Sequence, residues 1–447
     1  MTEKNDQISN QIKPDQNLNK EITDKPPKRS PKKLISKRVL LKAASIALGA
    51  TALGGAIFGV KSSFDEKNIG EPKIETTNLV STENGTNAPP VDESNKELEQ
   101  SQIPQIEIPE TESMISLGNE IDASLENKFN ITWTPDVHIS FTTNNEDNLR
   151  CFFIGGNEGK TYLLEGCATD DILTAINNAP QKNLPLVWGP EMFTDPNKYA
   201  YSEIGSVVQP TDDPNYLIAF THNEEHAGNS LGFTASISQL KSLDGGKSWQ
   251  LSQTDPVVKG DDPMPPGQDV SGAGQPCAIV KDNCVYLYYT DWSREHDLHR
   301  DEVFLAKTAI DQNGNLGKFE FYQGNNEFGE SEENLAPAIP FPDIKNSYAA
   351  LSSVSYNTKI NKFLCVFETD LGFQIVTSDD AINWSQGKMF YSFQTPHSQL
   401  DKGGLFESYP SLLSFSDKSD SQTDDSGYLV YASGQPHNMV LRPFSIK

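Results

Sequence analysis

The chain reads as an all-β protein, a five-bladed β-propeller, and three observations predict this. A module recurs along the C-terminal three-quarters: a Gly-, Ser- or Pro-rich strand start, an aromatic-aliphatic strand, a third strand, and sometimes an Asp-turn-Trp element. The clearest copy runs Gly205-Ser-Val-Val, Tyr216-Leu-Ile-Ala-Phe220 and Phe233-Thr-Ala-Ser-Ile-Ser, closing with Ser242-Leu-Asp-Gly-Gly-Lys-Ser-Trp249. Module starts fall roughly 55–80 residues apart with several short strands in each, the period of a propeller blade. From residue 128 onward the strand pattern is continuous, and only 168–182 reads as helical.

Taken in order, residues 1–35 are Asn, Asp, Lys and Pro with almost no apolar content, a composition that stays disordered. Ser36-Lys-Arg-Val-Leu-Leu-Lys42 then precedes eighteen uncharged residues, 43–60. This resembles a twin-arginine export signal, with Lys37 in place of the first arginine and Leu40 in place of the aromatic. The segment also has the length of a single membrane-spanning helix, and the basic residues before it place the N-terminus in the cytoplasm. No A-x-A site follows, so a cleaved signal and a retained anchor both stay open. Residues 61–127 carry four basic and fifteen acidic side chains and read as a solvated linker. The propeller is expected over 128–447, outside the cytoplasm, secreted or tethered to the membrane.

Five blades are expected. The first holds strands at 137–142, 149–154 and 160–165; the second is the copy given above. The third holds 276–280, 285–290 and 303–309, the fourth 351–356, 362–368 and 374–377, and the fifth 409–415, 427–432 and 439–445.

Charge narrows the partners. Residues 1–42 carry eleven Lys/Arg against five Asp/Glu, whereas 128–447 carry 21 against 42. A surface that acidic repels phosphate backbones, which argues against nucleic acid as a partner of the folded part. Five scattered cysteines without a CxxC pair exclude a thiolate zinc knuckle and a disulfide-dense scaffold. Cys151 and Cys167, on neighbouring expected strands, are the best candidates for a bridge. No cofactor is expected, with a structural calcium ion left open, and the chain is expected to be monomeric.

Ser242-x-Asp244-x-Gly246-x-x-Trp249 is a complete Asp-box, and Ser378-Asp-Asp-Ala-Ile-Asn-Trp384 a weaker one. In such a turn the Asp accepts backbone N–H bonds, Gly takes a positive φ and Trp buries its ring, so the element is structural. The blade pattern with these boxes, over about 130–447, resembles two groups of propeller glycosidases: six-bladed sialidases, and the five-bladed hydrolases of arabinans, xylans and fructans. The resemblance implies glycosidic-bond hydrolysis and a carbohydrate partner. Sialidases hold a substrate carboxylate with three arginines, because planar bidentate pairing needs guanidinium. Residues 128–447 hold only Arg150, Arg294, Arg300 and Arg442, two of them in one short segment, which disfavours the sialidase alternative.

Glycoside hydrolysis needs two carboxyl groups, one protonated and one ionised. Asp136 opens the first blade and resembles the strand-start Asp of the five-bladed families, the general base or nucleophile; a polar turn after Pro135 is the alternative. Glu407 opens the last blade in Phe-Glu-Ser-Tyr-Pro410 and loosely resembles the general acid's Glu-x-Pro setting. Asp291, beside Trp292 after an apolar strand, suits a partly desolvated acid, or caps a loop; Trp292 and Gln275 are candidate sugar contacts. Trp188 either stacks on a sugar or fills a blade junction. His222-Asn-Glu224-Glu225-His226 matches the His-x-x-Glu-His zinc-protease pattern, but that pattern works on a helix. On a strand the two histidines lie ~13 Å apart. Glu224 is therefore expected as an acid, with His222, Glu225 and His226 as sugar contacts. A non-catalytic glycan- or partner-binding propeller is the rival reading, and carboxyl geometry separates the two.

Overall fold

A computed structural model describes residues 114–123, 125–155, 159–167, 171–180, 183–226, 232–260, 270–293, 302–339, 349–415 and 419–447. The basic N-terminal region, the hydrophobic segment 43–60, linker residues 61–113, and Arg294 and Arg300 lie outside the described residues. Among the described residues no helix is long and apolar enough to cross a membrane.

The fold is all-β: the described strands form four sheets, traced as successive antiparallel meanders, the second and third of which join in one nine-stranded sheet through parallel pairing of Val270–Gly272 with Phe233–Ala235. The first comprises Ser140–Thr143, Leu149–Gly155, Lys160–Glu165 and Leu186–Trp188. The second comprises Tyr201–Val208, Leu217–His226, Phe233–Ser242 and Gln250–Leu251. The third runs Val270–Lys281, Cys284–Asp291, Glu302–Ala309 and Glu320–Gly324, the fourth Ala350–Asn357, Lys362–Thr369, Gly372–Ser378 and Lys388–Ser392. The fifth contains Glu407–Leu413, Ser426–Gly434 and His437–Ile446, and its outer strand is Ile115–Leu117. That strand pairs Ile115 with Ile446, and Ile121–Asp122 pairs with Val440 and Leu441. The folded part therefore reaches back to residue 114, into the segment expected to be linker. The helix expected within 168–182 is Ile172–Asn178, capped by Asp171.

Local chemistry explains the elements. Strands such as Leu217–His226 keep their first eight residues buried, as strands covered on both faces do. The hairpin after Lys281 turns through Asp282 and Asn283, both at positive φ, the two-residue turn whose twist matches the strands it joins. In the first Asp-turn-Trp element, Asp244 accepts from the Ser248 N–H at 2.9 Å, Gly246 sits at φ +84°, and Trp249 packs edge-on against Phe152. Hydrogen bonds in the second element hold Asp380 at a pKa of about 2, against the opposing effect of burial. No disulfide joins the cysteines. Cys151 faces Leu164 across its strand pair, three residues short of Cys167, which overturns the expected bridge.

Successive meanders pack face to face. Phe152, Leu163 and Trp188 of the first meet Ile204, Leu217 and Leu240 of the second. Corresponding clusters join second to third, third to fourth and fourth to fifth. Phe141, Cys151 and Phe153 of the first meet Leu413, Val430 and Leu441 of the fifth. A side-chain acceptor on a leading strand recurs at four of these junctions. The Val207 N–H donates to Ser140 Oγ and the Ala278 N–H to Ser206 Oγ, both at 2.9 Å. The Val354 N–H donates to Cys277 Sγ at 3.2 Å, and the Ile139 N–H to Ser411 Oγ at 3.1 Å.

A buried clasp ties the fifth meander to the entry of the first. Asp420 bonds His138 Nε2 at 2.7 Å, and accepts from Ser140 Oγ and the Phe141 N–H at 2.9 and 3.2 Å. His138 Nδ1 meets Ser411 Oγ at 3.1 Å. Burial opposes protonation of His138, but Cys277 and the Asp420 carboxylate outweigh it and raise the pKa to about 10.

Candidate active site

The leading strands gather acids from different meanders. In the second, Tyr201 pairs with Glu224 and Glu203 with His222. Strand alternation then puts all four side chains on one face. The Tyr201 phenol bonds both Glu203 and Asp136, the latter just ahead of the first strand of meander one. The two carboxyl oxygens are thus no farther apart than two hydrogen bonds, roughly 5–6 Å. Asp136, Tyr201, Glu203 and Glu224 are at most 4% exposed. Burial raises the Tyr201 pKa well above its ordinary value, and the charges of Asp136, Glu203 and Glu224 add to this, so the phenol keeps its proton.

The third and fifth meanders complete the surround. Gln275 Nε2 donates to the Asp136 carbonyl at 3.2 Å, and the Tyr409 phenol lies near the Asp136 carboxyl group. Burial, then Asp136, push the Tyr409 pKa up, so this phenol also keeps its proton. Gln275 and Tyr409 sit at φ +55° and +60°, each at a bulge in its leading strand. Left-handed backbone at bulky residues costs about 1–3 kcal/mol and clusters at functional sites. Glu368 stabilises Tyr409 in this conformation, accepting its N–H at 3.2 Å while bonding Ser408 Oγ. On its other side Glu368 meets His397 Nδ1 at 3.0 Å. Burial opposes a charge on His397, but Glu368 outweighs it and raises the pKa.

His222 lies between Tyr201 and Trp292, with Nε2 3.3 Å from Glu224 Oε1. His226 reaches the other Glu224 oxygen at 3.4 Å. The two imidazoles thus lean onto one carboxylate although their backbones are held apart by the strand. Among the described residues no cluster of His, Cys, Asp and Glu fits a metal ion. Gly274 makes room here, since a Cβ would fall 2.1 Å from His222 Nδ1 and 2.9 Å from the Trp292 ring.

Asp136, His222, Glu224, Gln275 and Trp292 therefore belong to one surround. Four other expected residues have different settings. Glu225 is exposed, because alternation turns it away from Glu224. Trp188 is 1% exposed, donates to Ser202 Oγ at 2.9 Å and packs on Phe193, so it fills the junction of the first two meanders. The Glu407 carboxylate is held by the Tyr391 phenol and the Gln394 N–H, between fourth and fifth meanders. Asp291 accepts from the Ser293 N–H at 2.8 Å in a loop-capping bond.

Sequence reasoning missed Glu203, Glu368, Tyr201 and Tyr409. Glu203 carries the signal used for Asp136, an acid at a leading strand's start. It was passed over because that strand begins at Tyr201, ahead of the expected Gly205.

No protein-family model and no curated protein matches the chain. Solved structures similar to it include an alpha-L-arabinofuranosidase from Lactobacillus brevis, 11% identical, covering 70% of this chain and 91% of that one at TM-score 0.43. A Penicillium chrysogenum alpha-L-arabinanase complexed with arabinobiose is 9% identical, over 74% and 99% of the two chains, at TM-score 0.41. The alpha-L-arabinofuranosidase of Fusarium graminearum with arabinobiose is 11% identical, over 75% and 98%, at TM-score 0.41. Likeness at this level carries no argument about activity, which rests on the residues above.

Proposed function

We propose that the chain is a five-bladed β-propeller glycoside hydrolase whose funnel carboxyl pair is Asp136 and Glu203. The observation that carries this reading is Tyr201, whose one phenol oxygen contacts both acids. In hydrolysis the acid meets the glycosidic oxygen and the nucleophile faces the anomeric carbon, so the scissile bond must take the place of the phenol between the two carboxyls. Five meanders with a core at every junction, the last against the first, support the blade count. The carboxyl chemistry uses no cofactor. The substrate is a neutral oligosaccharide, and the strongly acidic fold disfavours polyanionic glycans. The protein acts outside the cytoplasm, exported or anchored through residues 43–60, and as a monomer.

Separation of the carboxyls sets the stereochemistry. About 5–5.5 Å suits a covalent intermediate and retention, whereas about 6.5–9.5 Å leaves room for a water and gives inversion. The short span across Tyr201 predicts retention, with Asp136 as nucleophile. Incubating the full chain with arabino-, xylo- and fructo-oligosaccharides, and following the first-formed anomer by proton NMR, tests this. Retained configuration is expected; inverted product contradicts the assignment.

A further inference from the structure

The bend that delivers Tyr409 to the site is held from outside its own meander. In the leading strand Glu407–Leu413, Ser408 pairs with Ala432 and Ser411 with Val430, so Tyr409 and Pro410 together face one partner residue. Proline has no N–H to give, and the extra residue takes the Tyr409 N–H out of the regular ladder. That N–H instead donates to Glu368 Oε2 at 3.2 Å, and the Ser408 hydroxyl donates to the same oxygen. Glu368 lies on Lys362–Thr369, the second strand of the fourth meander, and is 1% exposed.

Glu368 is fixed in its turn. His397 Nδ1 meets its second oxygen, Oε1, at 3.0 Å, and His397 Nε2 donates to the Glu407 carbonyl at 2.7 Å. A carbonyl only accepts, so Nε2 carries a hydrogen. The imidazole is stacked between Phe393 and Phe406, with ring centroids 4.7 and 5.7 Å away and planes within 13° and 8° of parallel. Its backbone N–H donates to the Asp370 carbonyl at 3.0 Å, and the Asp370 carboxylate accepts from the Ser398 N–H at 2.6 Å. A ring engaged at both nitrogens and on both faces cannot swing, and it sets the carboxyl group beside it. The contacts thus run from the link between fourth and fifth meanders, through Glu368, to the backbone of Tyr409.

We propose that Glu368 is a positioning residue for the candidate site: it holds Tyr409 in the bulge that brings its phenol near Asp136, and His397 holds Glu368. The φ of +60° at Tyr409 is a conformation that a bulky residue keeps only where its surroundings enforce it. Without the Glu368 acceptor the backbone relaxes toward the regular ladder, and the phenol leaves Asp136. Glu368 acts through Tyr409 in this role, not on the sugar. The kinetic consequence rests on the hydrolase reading, whereas the placement of Tyr409 does not, so either can fail alone.

The test is NMR of the sugar-free full chain carrying tyrosine isotope-labelled at Cζ, with the Tyr409 resonance assigned by its loss in Tyr409→Phe. Glu368→Asp keeps the charge but draws the carboxylate back by one methylene, and His397→Gln removes the clamp. Each should shift the Tyr409 resonance; an unshifted resonance in either folded variant overturns the proposal. On a neutral oligosaccharide, Glu368→Asp and Tyr409→Phe should each lower kcat by about tenfold to a hundredfold, and the double variant no further than Tyr409→Phe alone. Losses that multiply would also overturn it, because Glu368 would then act independently of Tyr409. A wild-type chain that hydrolyses nothing removes the hydrolase reading, and the resonance alone then decides on Glu368.

Discussion

Asp136→Asn is expected to lower the rate of glycosidic-bond hydrolysis by about a hundredfold to ten-thousandfold, with the circular dichroism of the fold unchanged. The carboxylate is almost fully buried, is bonded by Tyr201, and faces Glu203 across a single oxygen. An amide keeps the shape but removes the charge that attacks the sugar. The matched control is Glu225→Gln, which alters an exposed side chain on the opposite strand face and should leave the rate alone. Equal rates in wild type and Asp136→Asn would remove Asp136 from the chemistry.

Asp420→Ala is expected to destabilise the fold by about 3–5 kcal/mol, the usual cost of stripping the partner from a buried charge. The side chain bonds His138, Ser140 and the Phe141 N–H, so one substitution frees three groups between the first and fifth meanders. His138 gives this clasp a pH signature. Its folded pKa of about 10 lies above the ordinary 6.5, so its contribution is complete below about pH 6.5 and is lost as pH rises through 10. Urea unfolding at a series of pH values should show stability falling across that window in wild type, with a flatter profile in His138→Gln. A profile unchanged by the substitution would mean that the histidine is uncharged in the folded state.

Much of this fold is legible in the sequence because strands covered on both faces leave long apolar runs and the turns between them carry fixed residue types. Tyr216–Phe220 and the Ser242–Trp249 turn are such signals. Ile115–Leu117 was hidden because three residues in a polar, acidic stretch are too few to show a period, and their partner strand, His437–Ile446, is more than three hundred residues away. The site was half legible for a similar reason. Asp136 and Glu224 stand out as acids beside strands, whereas Tyr201 and Tyr409 gain their role only where separate meanders meet. The strand reading of His222–His226 correctly separates the two backbones, but it says nothing of side chains that fold back onto Glu224 between them.

The most direct measurement is sugar release by the full chain from a panel of neutral oligosaccharides, comparing wild type with Glu203→Gln and Glu407→Gln. Glu203 shares the Tyr201 oxygen with Asp136, while Glu407 is engaged by Tyr391 and Gln394 at another junction. The predicted result is hydrolysis by wild type, a loss of about a hundredfold or more in Glu203→Gln, and near-normal rates in Glu407→Gln. A wild-type chain that releases no sugar from any member of the panel, or a Glu203→Gln variant that works at full rate, would contradict a hydrolytic carboxyl pair at Tyr201.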